Sequence, residues 1–214
     1  MNYAENSLFE HQGVQYRIKR LLGKGKSAYS YLIEHETNEF VLKQIHDEPC
    51  PYYNFDDKFE HELSSYEKLL DLDIRMPELR GQSKERDYLI KEFVDGTLAS
   101  WNIAMNKLDD NIVEQLFEMS ASARRHGYNL DYFPGNFIIK KNYLYYIDYE
   151  INSYSYEWSL EKWGLYYWAN SDGMREFMET GDYLKINEKE FSGIPVKKPF
   201  ESKVQEWISQ YSLK

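Results

Sequence analysis

The chain has 214 residues, a formal net charge of −10 and 17% aromatic residues, a length that suits one domain or two small lobes. The acidic balance argues against nucleic acid as the main partner, because no basic patch would offset phosphate repulsion. The single cysteine excludes an internal disulfide. With neither a signal-like segment nor a membrane-spanning apolar run, we expect a soluble, cytoplasmic protein.

The first 95 residues have the pattern of a β-rich region with one helix. Residues 1–13 are polar, and we expect a short extension there. Apolar patterning predicts strands at Tyr16–Leu22, Ala28–His35, Glu39–Ile45, Glu78–Gly81 and Tyr88–Val94. Pro49-Cys50-Pro51 breaks the chain, and apolar residues at helical spacing predict a helix over Asp56–Leu72.

The pattern becomes mostly helical after the turn at Asp95-Gly96, which is a plausible boundary between lobes. We predict helices over Asp110–His126, Glu157–Trp168 and Glu201–Tyr211, and a hairpin of Phe137–Ile139 with Tyr143–Ile147. This order predicts an α+β chain: one domain over 1–214, with a small β-rich N-lobe (1–95) and a mostly helical C-lobe (96–214).

The stretch "LLGKGKSAYSYLIEH", residues 21–35, contains a glycine-rich turn. A Walker A loop would need a glycine where Arg20 stands and a helix after Ser27, but a strand pattern follows. A phosphate-binding hairpin of the G-x-G-x-x-G type fits Gly23 and Gly25, with Ala28 in place of the third glycine. A simple turn with solvated lysines at its tip fits the same letters.

Lys43 lies at the centre of the third predicted strand, and an inward-pointing lysine requires a carboxylate partner. The helix that follows offers several acids, and we select Glu62 by its spacing from the lysine. Taken alone, Glu62 could equally be a solvated acid on a helix face.

The most informative stretch is "NLDYFPGNFIIKKNYLYYIDYE", residues 129–150. Asp131 and Asn136 lie on a loop that leads into the predicted hairpin, and Asp148 follows the second strand of that hairpin. Phosphoryl transfer requires a carboxylate near the acceptor hydroxyl and oxygen ligands for Mg²⁺, which Asn and Asp supply. This series, after a G-x-G turn and a strand lysine, predicts a phosphotransferase site.

The chain resembles the protein-kinase-like superfamily, in its small-molecule branch of bacterial aminoglycoside phosphotransferase and choline kinase relatives. That branch has the motifs H-G-D-x-x-P-G-N and I-D-[FW]-E, which "NLDYFPGN" and "YYIDYE" match. The resemblance implies a bilobal kinase-like fold that uses ATP and Mg²⁺. It further implies that Asp131 is the catalytic residue, that Asn136 and Asp148 bind Mg²⁺, and that Lys43, paired with Glu62, holds phosphates.

The resemblance also implies an adenine-binding hinge in "YLIKEFVDG", with backbone groups of Glu92 and Val94 as its contacts. The chain departs from the family at several positions. Asn129 and Leu130 replace the His-Gly before the catalytic aspartate, so the loop must be braced differently. Lys91 stands where the residue that gates the adenine pocket is usually apolar.

We therefore expect an ATP- and Mg²⁺-dependent kinase that phosphorylates a hydroxyl of a small molecule. Only nine positions separate Asp148 from the predicted helix start at Glu157, which leaves a shortened activation segment without room for a peptide platform. Glutamates interleaved with aromatic residues after Asp148 suggest an amine-bearing acceptor. Two alternatives stay open: a compact RIO-type protein serine/threonine kinase, and a nucleotide-binding pseudokinase with a regulatory role.

Overall fold

The computed structural model of the protein describes residues 3–48, 57–190 and 192–212. It is a mixed α+β structure with antiparallel sheets and helices. The chain forms two compact units, Met1–Ser64 with Pro77–Val94, and Ser65–Met76 with Asp95–Lys214. The predicted chain break at Pro49-Cys50-Pro51 and the predicted helix start at Asp56 lie outside the described residues.

The first unit is built on a six-stranded antiparallel sheet in the order β1-β2-β3-β4-β6-β5. Its strands are β1 Leu8–His11, β2 Val14–Lys24, β3 Ala28–His35, β4 Asn38–Ile45, β5 Leu79–Ser83 and β6 Tyr88–Glu92. Helix α1, Lys58–Leu69, begins in this unit. The five predicted strands are confirmed, with shifted ends at four of them.

The central strands β3, β4 and β6 carry buried residues on both faces of this sheet. One face carries an aromatic and aliphatic cluster of Phe9, Ile18, Tyr29, Tyr31, Ile33, Leu42, Tyr88 and Ile90. The other face packs Ala28, Ile45 and Leu89 against Phe59 of α1. Strand alternation then requires Lys43, two positions before Ile45, to point toward the helix side.

The amino-terminal residues are not a loose extension, and that prediction was wrong. Strand β1 pairs with β2, and its side chains reach the far edge of the curled sheet. His11 Nδ1 lies 2.7 Å from the hydroxyl of Tyr88, and Arg86 donates to the carbonyl oxygen of Glu10 at 2.7 Å. The guanidinium of Arg86 also lies over the ring of Phe9, 4.8 Å from its centre. These contacts join the first strand of the unit to its last hairpin.

The second unit combines helices with two small sheets. Its helices are α2 Ala99–Ala104, α3 Asp110–Arg125, α4 Leu165–Ala169, α5 Ser171–Thr180 and α6 Glu201–Tyr211. Its strands are β7 Thr97–Leu98, β8 Tyr128–Leu130, β9 Phe137–Lys140, β10 Tyr143–Tyr146 and β11 Ile151–Ser153, in sheets ordered β10-β9-β7 and β11-β8. No helix within the described ranges combines the length and apolar character that a membrane span requires.

The predicted hairpin forms as β9 and β10, and a two-residue turn with positive φ at Lys141 and Asn142 joins them. Helix α3 fixes this hairpin through the buried Gln115. Its Nε2 donates to the carbonyl of Asn142 at 2.9 Å, and its Oε1 accepts from the N–H of Leu144 at 3.0 Å. The hairpin is therefore held at both its turn and its second strand.

The predicted helix over Glu157–Trp168 is not continuous. A 3-10 turn at Tyr156–Trp158 is followed by a π-helical turn at Leu160–Gly164 and then by α4. Ser159 is extended between the first two, and its hydroxyl accepts from the N–H of Lys162 at 3.3 Å, so a new helix starts there. Helix α5 was missed, although Asn170 caps its start and Gly181 its end.

The buried imidazole of His11 predicts a pH-dependent stability of the first unit. Burial lowers its pKa from the usual 6.5, and the charge of Arg86 lowers it further. The unfolded chain then takes up the proton first as pH falls, so this stabilisation is present above about pH 6.5 and is lost below it. The urea midpoint of His11→Gln should fall less than that of the wild type between about pH 7.5 and pH 5.5.

The matched control is His35→Gln, since His35 bonds the carbonyl of Gln15 on the surface at 2.9 Å. This variant should keep the wild-type dependence on pH. An equal decline in His11→Gln and in the wild type would contradict the assignment.

Candidate functional site

The glycine-rich turn lies between two strands, as the sequence predicts, and no helix follows it. β2 and β3 pair Gly23 with Ser30, and the N–H of Gly25 donates to the carbonyl of Ala28 at 2.8 Å. A Cβ atom on Gly23 would meet nothing within 4 Å, so the turn leaves open space at this position. Phosphate binding by Gly23 and Gly25 stays a prediction.

Lys24, at the end of β2, is engaged with the chain itself. Its ammonium lies 2.6 Å from a carboxylate oxygen of Glu48, whose other oxygen accepts from the hydroxyl of Tyr29 at 2.5 Å. The bonds from Lys24 and Tyr29 lower the pKa of Glu48 to about 2. The ion pair with Glu48 therefore holds the side chain of Lys24 next to the glycine-rich turn.

Lys43 and Glu62 form a buried ion pair, with Nζ 2.6 Å from Oε1 and side chains only 11% and 7% exposed. Strand alternation turns Lys43 toward α1, where Glu62 lies one helical turn after Phe59. The carboxylate compensates the charge of the ammonium. Burial of either group alone would carry a large desolvation cost. The role of Lys43 in holding phosphate stays a prediction.

Lys91 is a second buried lysine in the first unit, with 5% of its surface exposed. It lies opposite Val41 in the ladder between β4 and β6, and Lys43 lies opposite Leu89. Directly opposed residues share a face of the sheet, so Lys91 and Lys43 point to the same side. The unusual residue noted in the sequence is therefore truly inward-facing.

The predicted hinge follows β6. The N–H of Glu92 donates to the carbonyl of Glu78 at 2.9 Å and so serves the sheet rather than a ligand. The predicted contacts with adenine would then be made by the carbonyl of Glu92 and the backbone of Val94. Val94 is buried and is the last residue of the first unit.

The second constellation is the loop cluster, defined as Asp131, Asn136 and Asp148, all half-buried in the second unit. Asp131 Oδ1 accepts from the N–H of Phe133 at 3.1 Å, and Asn136 Nδ2 donates to the carbonyl of Asp131 at 3.3 Å. A 3-10 turn, Pro134–Asn136, closes the loop between them. The loop thus fixes its aspartate and its asparagine together.

Asp148 is brought to the same loop by the hairpin. Phe137 pairs with Tyr146, and one position further the N–H of Ile147 donates to the carbonyl of Asn136 at 2.9 Å. Asn136 uses its amide nitrogen for the loop, so Oδ1 is the atom of this side chain that could serve as a metal ligand. An amide oxygen and a carboxylate suit Mg²⁺, which takes few protein ligands and completes its shell with phosphate and water.

Other metal classes find less support. Within the part of the chain that the structure describes, no group of three or more His, Cys, Asp or Glu side chains is arranged to hold a metal ion. A zinc-type site is therefore not found there, whereas a two-ligand magnesium site needs no such group.

Asn129 and Tyr146 brace the loop of Asp131, at which the sequence departs from the His-Gly of the phosphotransferases that it resembles. The carboxamide oxygen of the buried Asn129 accepts from the N–H of Ser155 at 2.6 Å. The hydroxyl of Tyr146 accepts from the N–H of Asp131 at 3.2 Å and donates to the carbonyl of Glu150 at 2.7 Å. Sequence reasoning missed Tyr146, because a tyrosine in an apolar strand has the pattern of a core residue.

Tyr146 is fully buried and keeps its proton at neutral pH. Burial raises its pKa well above the usual 10.0, and the negative charges of Asp148, Asp131 and Glu150 raise it further. Burial likewise raises the pKa of Tyr167, with a smaller contribution from Asp131. The negative charge of Asp131 therefore raises the pKa of both tyrosines, and Asp148 and Glu150 add to the effect at Tyr146.

The aromatic residues after Asp148 differ in what they can offer an acceptor. Arg124 lies over the ring of Tyr154 at 5.4 Å, and Lys162 over the ring of Tyr156 at 5.1 Å. Trp158 is 49% exposed and packs edge-on against Trp163 with centroids 5.6 Å apart. The exposed indole of Trp158 is then the better candidate for contact with an amine.

Comparison with known proteins does not assign this chain to a family. No protein-family model matches the chain, and no curated protein is significantly similar to it. The chain is similar in structure to the BubR1 kinase domain, with 20% sequence identity and a TM-score of 0.46. The match covers 68% of this chain and 49% of that chain, so the chain spans about half the length of the matched structure.

The buried ion pair predicts strong energetic coupling between its partners. Lys43→Met and Glu62→Gln should each lower the free energy of unfolding by about 3–5 kcal/mol, because each leaves a buried polar group uncompensated. The double variant should lose less than the sum, with a coupling of at least about 1 kcal/mol in urea unfolding.

The exposed pair Lys19–Glu34, at 3.2 Å, is the matched control and should couple by less than about 1 kcal/mol. Strictly additive losses at Lys43 and Glu62 would show that the pair is not energetically joined.

Proposed function

We propose that the protein is an ATP- and Mg²⁺-dependent phosphotransferase that acts on a hydroxyl of a small molecule. The observation that carries this proposal is the loop cluster, in which one closed loop and one hairpin hold Asp131, Asn136 and Asp148 together. A structural turn explains each residue singly. It does not explain why a carboxylate and two oxygen ligands of the type that Mg²⁺ prefers are brought together by one short loop and the hairpin that follows it.

Asp131 is the residue that would contact the acceptor. Its carboxylate would accept the proton of the attacking hydroxyl or orient that hydroxyl toward the phosphorus. The N–H of Phe133 already fixes one of its oxygens, which favours a single orientation of the carboxylate. Catalysis of this kind relies on positioning and charge stabilisation rather than on a covalent intermediate with the protein.

Lys43 would bind phosphate oxygens of the nucleotide, with Glu62 holding its ammonium in place. Asn136 and Asp148 would hold Mg²⁺, which when bound neutralises charge on the phosphates. The backbone at Glu92 and Val94 would receive the adenine. The resemblance in sequence supports these roles, and no residue here forms a bond to the transferred group.

The short segment after Asp148 supports a small acceptor. Residues 149–159 separate Asp148 from the π-helical turn, and they contain β11, which pairs with β8, and a 3-10 turn. Little chain remains there to form a platform for an extended peptide or a loop regulated by phosphorylation. An acceptor with an amine would add attraction to Glu150, Glu157 or Glu161 and to the ring of Trp158.

Nucleotide binding without transfer is the second candidate, and the Asn129-Leu130 departure favours it. A regulatory pseudokinase would retain the ion pair and lose turnover. The braces from Asn129 and Tyr146 weigh against it, because they hold the loop in order without the family's histidine. A protein acceptor, as in a RIO-type kinase, is the third outcome that the assays below distinguish.

Asp131→Asn should retain ATP binding and lose transfer. The change keeps the size of the side chain and the bond from Phe133 but removes the basic carboxylate, so turnover should fall by about 10²–10⁴-fold. Binding is measured by calorimetry with ATP and Mg²⁺, and turnover by ADP release.

Asp71→Asn, at an exposed aspartate of the same unit, is the matched control and should behave as the wild type. Replacing Mg²⁺ by a chelator should abolish turnover in every variant. Full activity in Asp131→Asn would assign the proton transfer to another residue.

The acceptor class can be read in one assay. The purified protein is incubated with ATP and Mg²⁺ beside neutral sugars, amino alcohols, aminoglycosides, generic peptides and proteins, and products are detected by mass. We expect phosphorylation of a small molecule, because the segment after Asp148 provides little peptide-binding surface. Phosphorylation of a protein in trans with no small molecule modified would favour the RIO-type alternative instead.

A further inference from the structure

The ladder between β8 and β11 is interrupted at the position of Asp131. The strands pair Tyr128 with Ser153, Asn129 with Asn152 and Leu130 with Ile151. The next rung of this antiparallel register would join the N–H of Asp131 to the carbonyl of Glu150. The hydroxyl of Tyr146 occupies that rung, accepting from Asp131 at 3.2 Å and donating to Glu150 at 2.7 Å.

We infer that Tyr146 is a positioning residue of the proposed reaction, which sets the place of Asp131 through the hydroxyl inserted in this rung. The inference rests on the proposed function, since it takes Asp131 as the residue that contacts the acceptor. Tyr146 itself contacts the loop backbone and not a reactant.

The inserted hydroxyl has a geometric consequence. A direct rung would bring the Asp131 N–H within about 3 Å of the Glu150 carbonyl. With the hydroxyl between them, the two backbones are held further apart by one oxygen atom. The phenol hydroxyl therefore sets the distance between the backbones of Asp131 and Glu150 where the loop leaves the sheet. The position of the Asp131 carboxylate depends on that distance.

The ring of Tyr146 is itself immobilised, so the hydroxyl is a fixed spacer. It is fully buried and packs against Phe137 with ring centroids 5.0 Å apart. Phe137 follows Asn136 directly and contacts Trp168, whose indole N–H donates to the carbonyl of Tyr132 at 2.8 Å. The same packed rings thus support the residues on both sides of the aspartate.

Tyr146→Phe removes the spacer and keeps the ring. Without the hydroxyl, the N–H of Asp131 loses this acceptor and the carbonyl of Glu150 loses this donor, so the loop shifts and Asp131 is displaced. A displacement of this order should lower the rate constant for ADP release about 10- to 100-fold, with water as the acceptor. The affinity and stoichiometry of ATP binding with Mg²⁺ should stay unchanged, because the phenol touches no group that we assign to the nucleotide.

Tyr88→Phe is the matched control, since it removes a buried, hydrogen-bonded phenol hydroxyl from the first unit. It should lower thermal stability by a similar amount and leave the rate unchanged. A purely structural role of Tyr146 would make the two variants alike. Unchanged binding stoichiometry excludes a loss of folded protein as the cause of a lower rate.

Hydrogen exchange gives a readout that does not depend on turnover. In Tyr146→Phe, the amides of residues 129–137 should exchange at least about tenfold faster than in the wild type, while the amide of Leu144, which donates to Gln115, stays protected. Unchanged exchange in this segment would overturn the inference even if the protein is an active kinase. Faster exchange with an unchanged rate of ADP release would overturn the positioning role and leave the proposed function intact.

A wild-type protein that binds ATP but releases no ADP, with water or with any acceptor of the panel above, would overturn the proposed function. It would also overturn the positioning role, because no reaction would exist to position.

Discussion

The carboxylate of Glu62 can exist inside the first unit only because the ammonium of Lys43 lies against it. Removing each charge from water costs several kcal/mol, and only close, well-oriented contact offsets that cost. The requirement constrains both partners: β4 must present its lysine to the helix side of the sheet, and α1 must place its acid beside Phe59. An apolar pair would often be as stable, so the retained charge agrees with the proposed role of Lys43 in holding phosphate.

Strands and helices with strong periodicity could be predicted from the sequence, and those without it could not. β3 and α6 begin and end where predicted: turn residues bound the apolar pattern of β3, and α6 follows the segment with Pro195 and Pro199 without a side-chain cap at its start. β1 was missed because its own residues are half polar. Its burial depends on contacts with Tyr88 and Arg86, which lie far along the chain and leave no local signal. The kinase-like, bilobal arrangement stays a prediction.

The candidate site divides in the same way. Asp131, Asn136 and Asp148 could be named from spacing, since a short loop and a hairpin keep them close in sequence. The cost of a buried charge required a carboxylate partner for Lys43, and spacing along the chain selected Glu62 among the acids of the helix. The brace from Tyr146 could not be predicted, because its meaning depends on a rung of the β8–β11 ladder that no sequence pattern encodes. The sequence shows that Asn129 and Leu130 replace His-Gly, but it does not show which residues brace the loop instead.

The closure of the first sheet has a consequence for synthesis of the chain. His11 and Tyr88 are 77 positions apart, and Glu10 and Arg86 are 76 apart. The ribosome adds roughly 5–20 residues per second, so the aromatic face around Phe9 waits about 4–15 s for its last partners. Strand β1 is made first, yet its contacts are complete only when the last hairpin of the unit has been made. A nascent chain in this interval presents part of the apolar surface around Phe9, and exposed surface of this kind makes incompletely folded chains prone to aggregate.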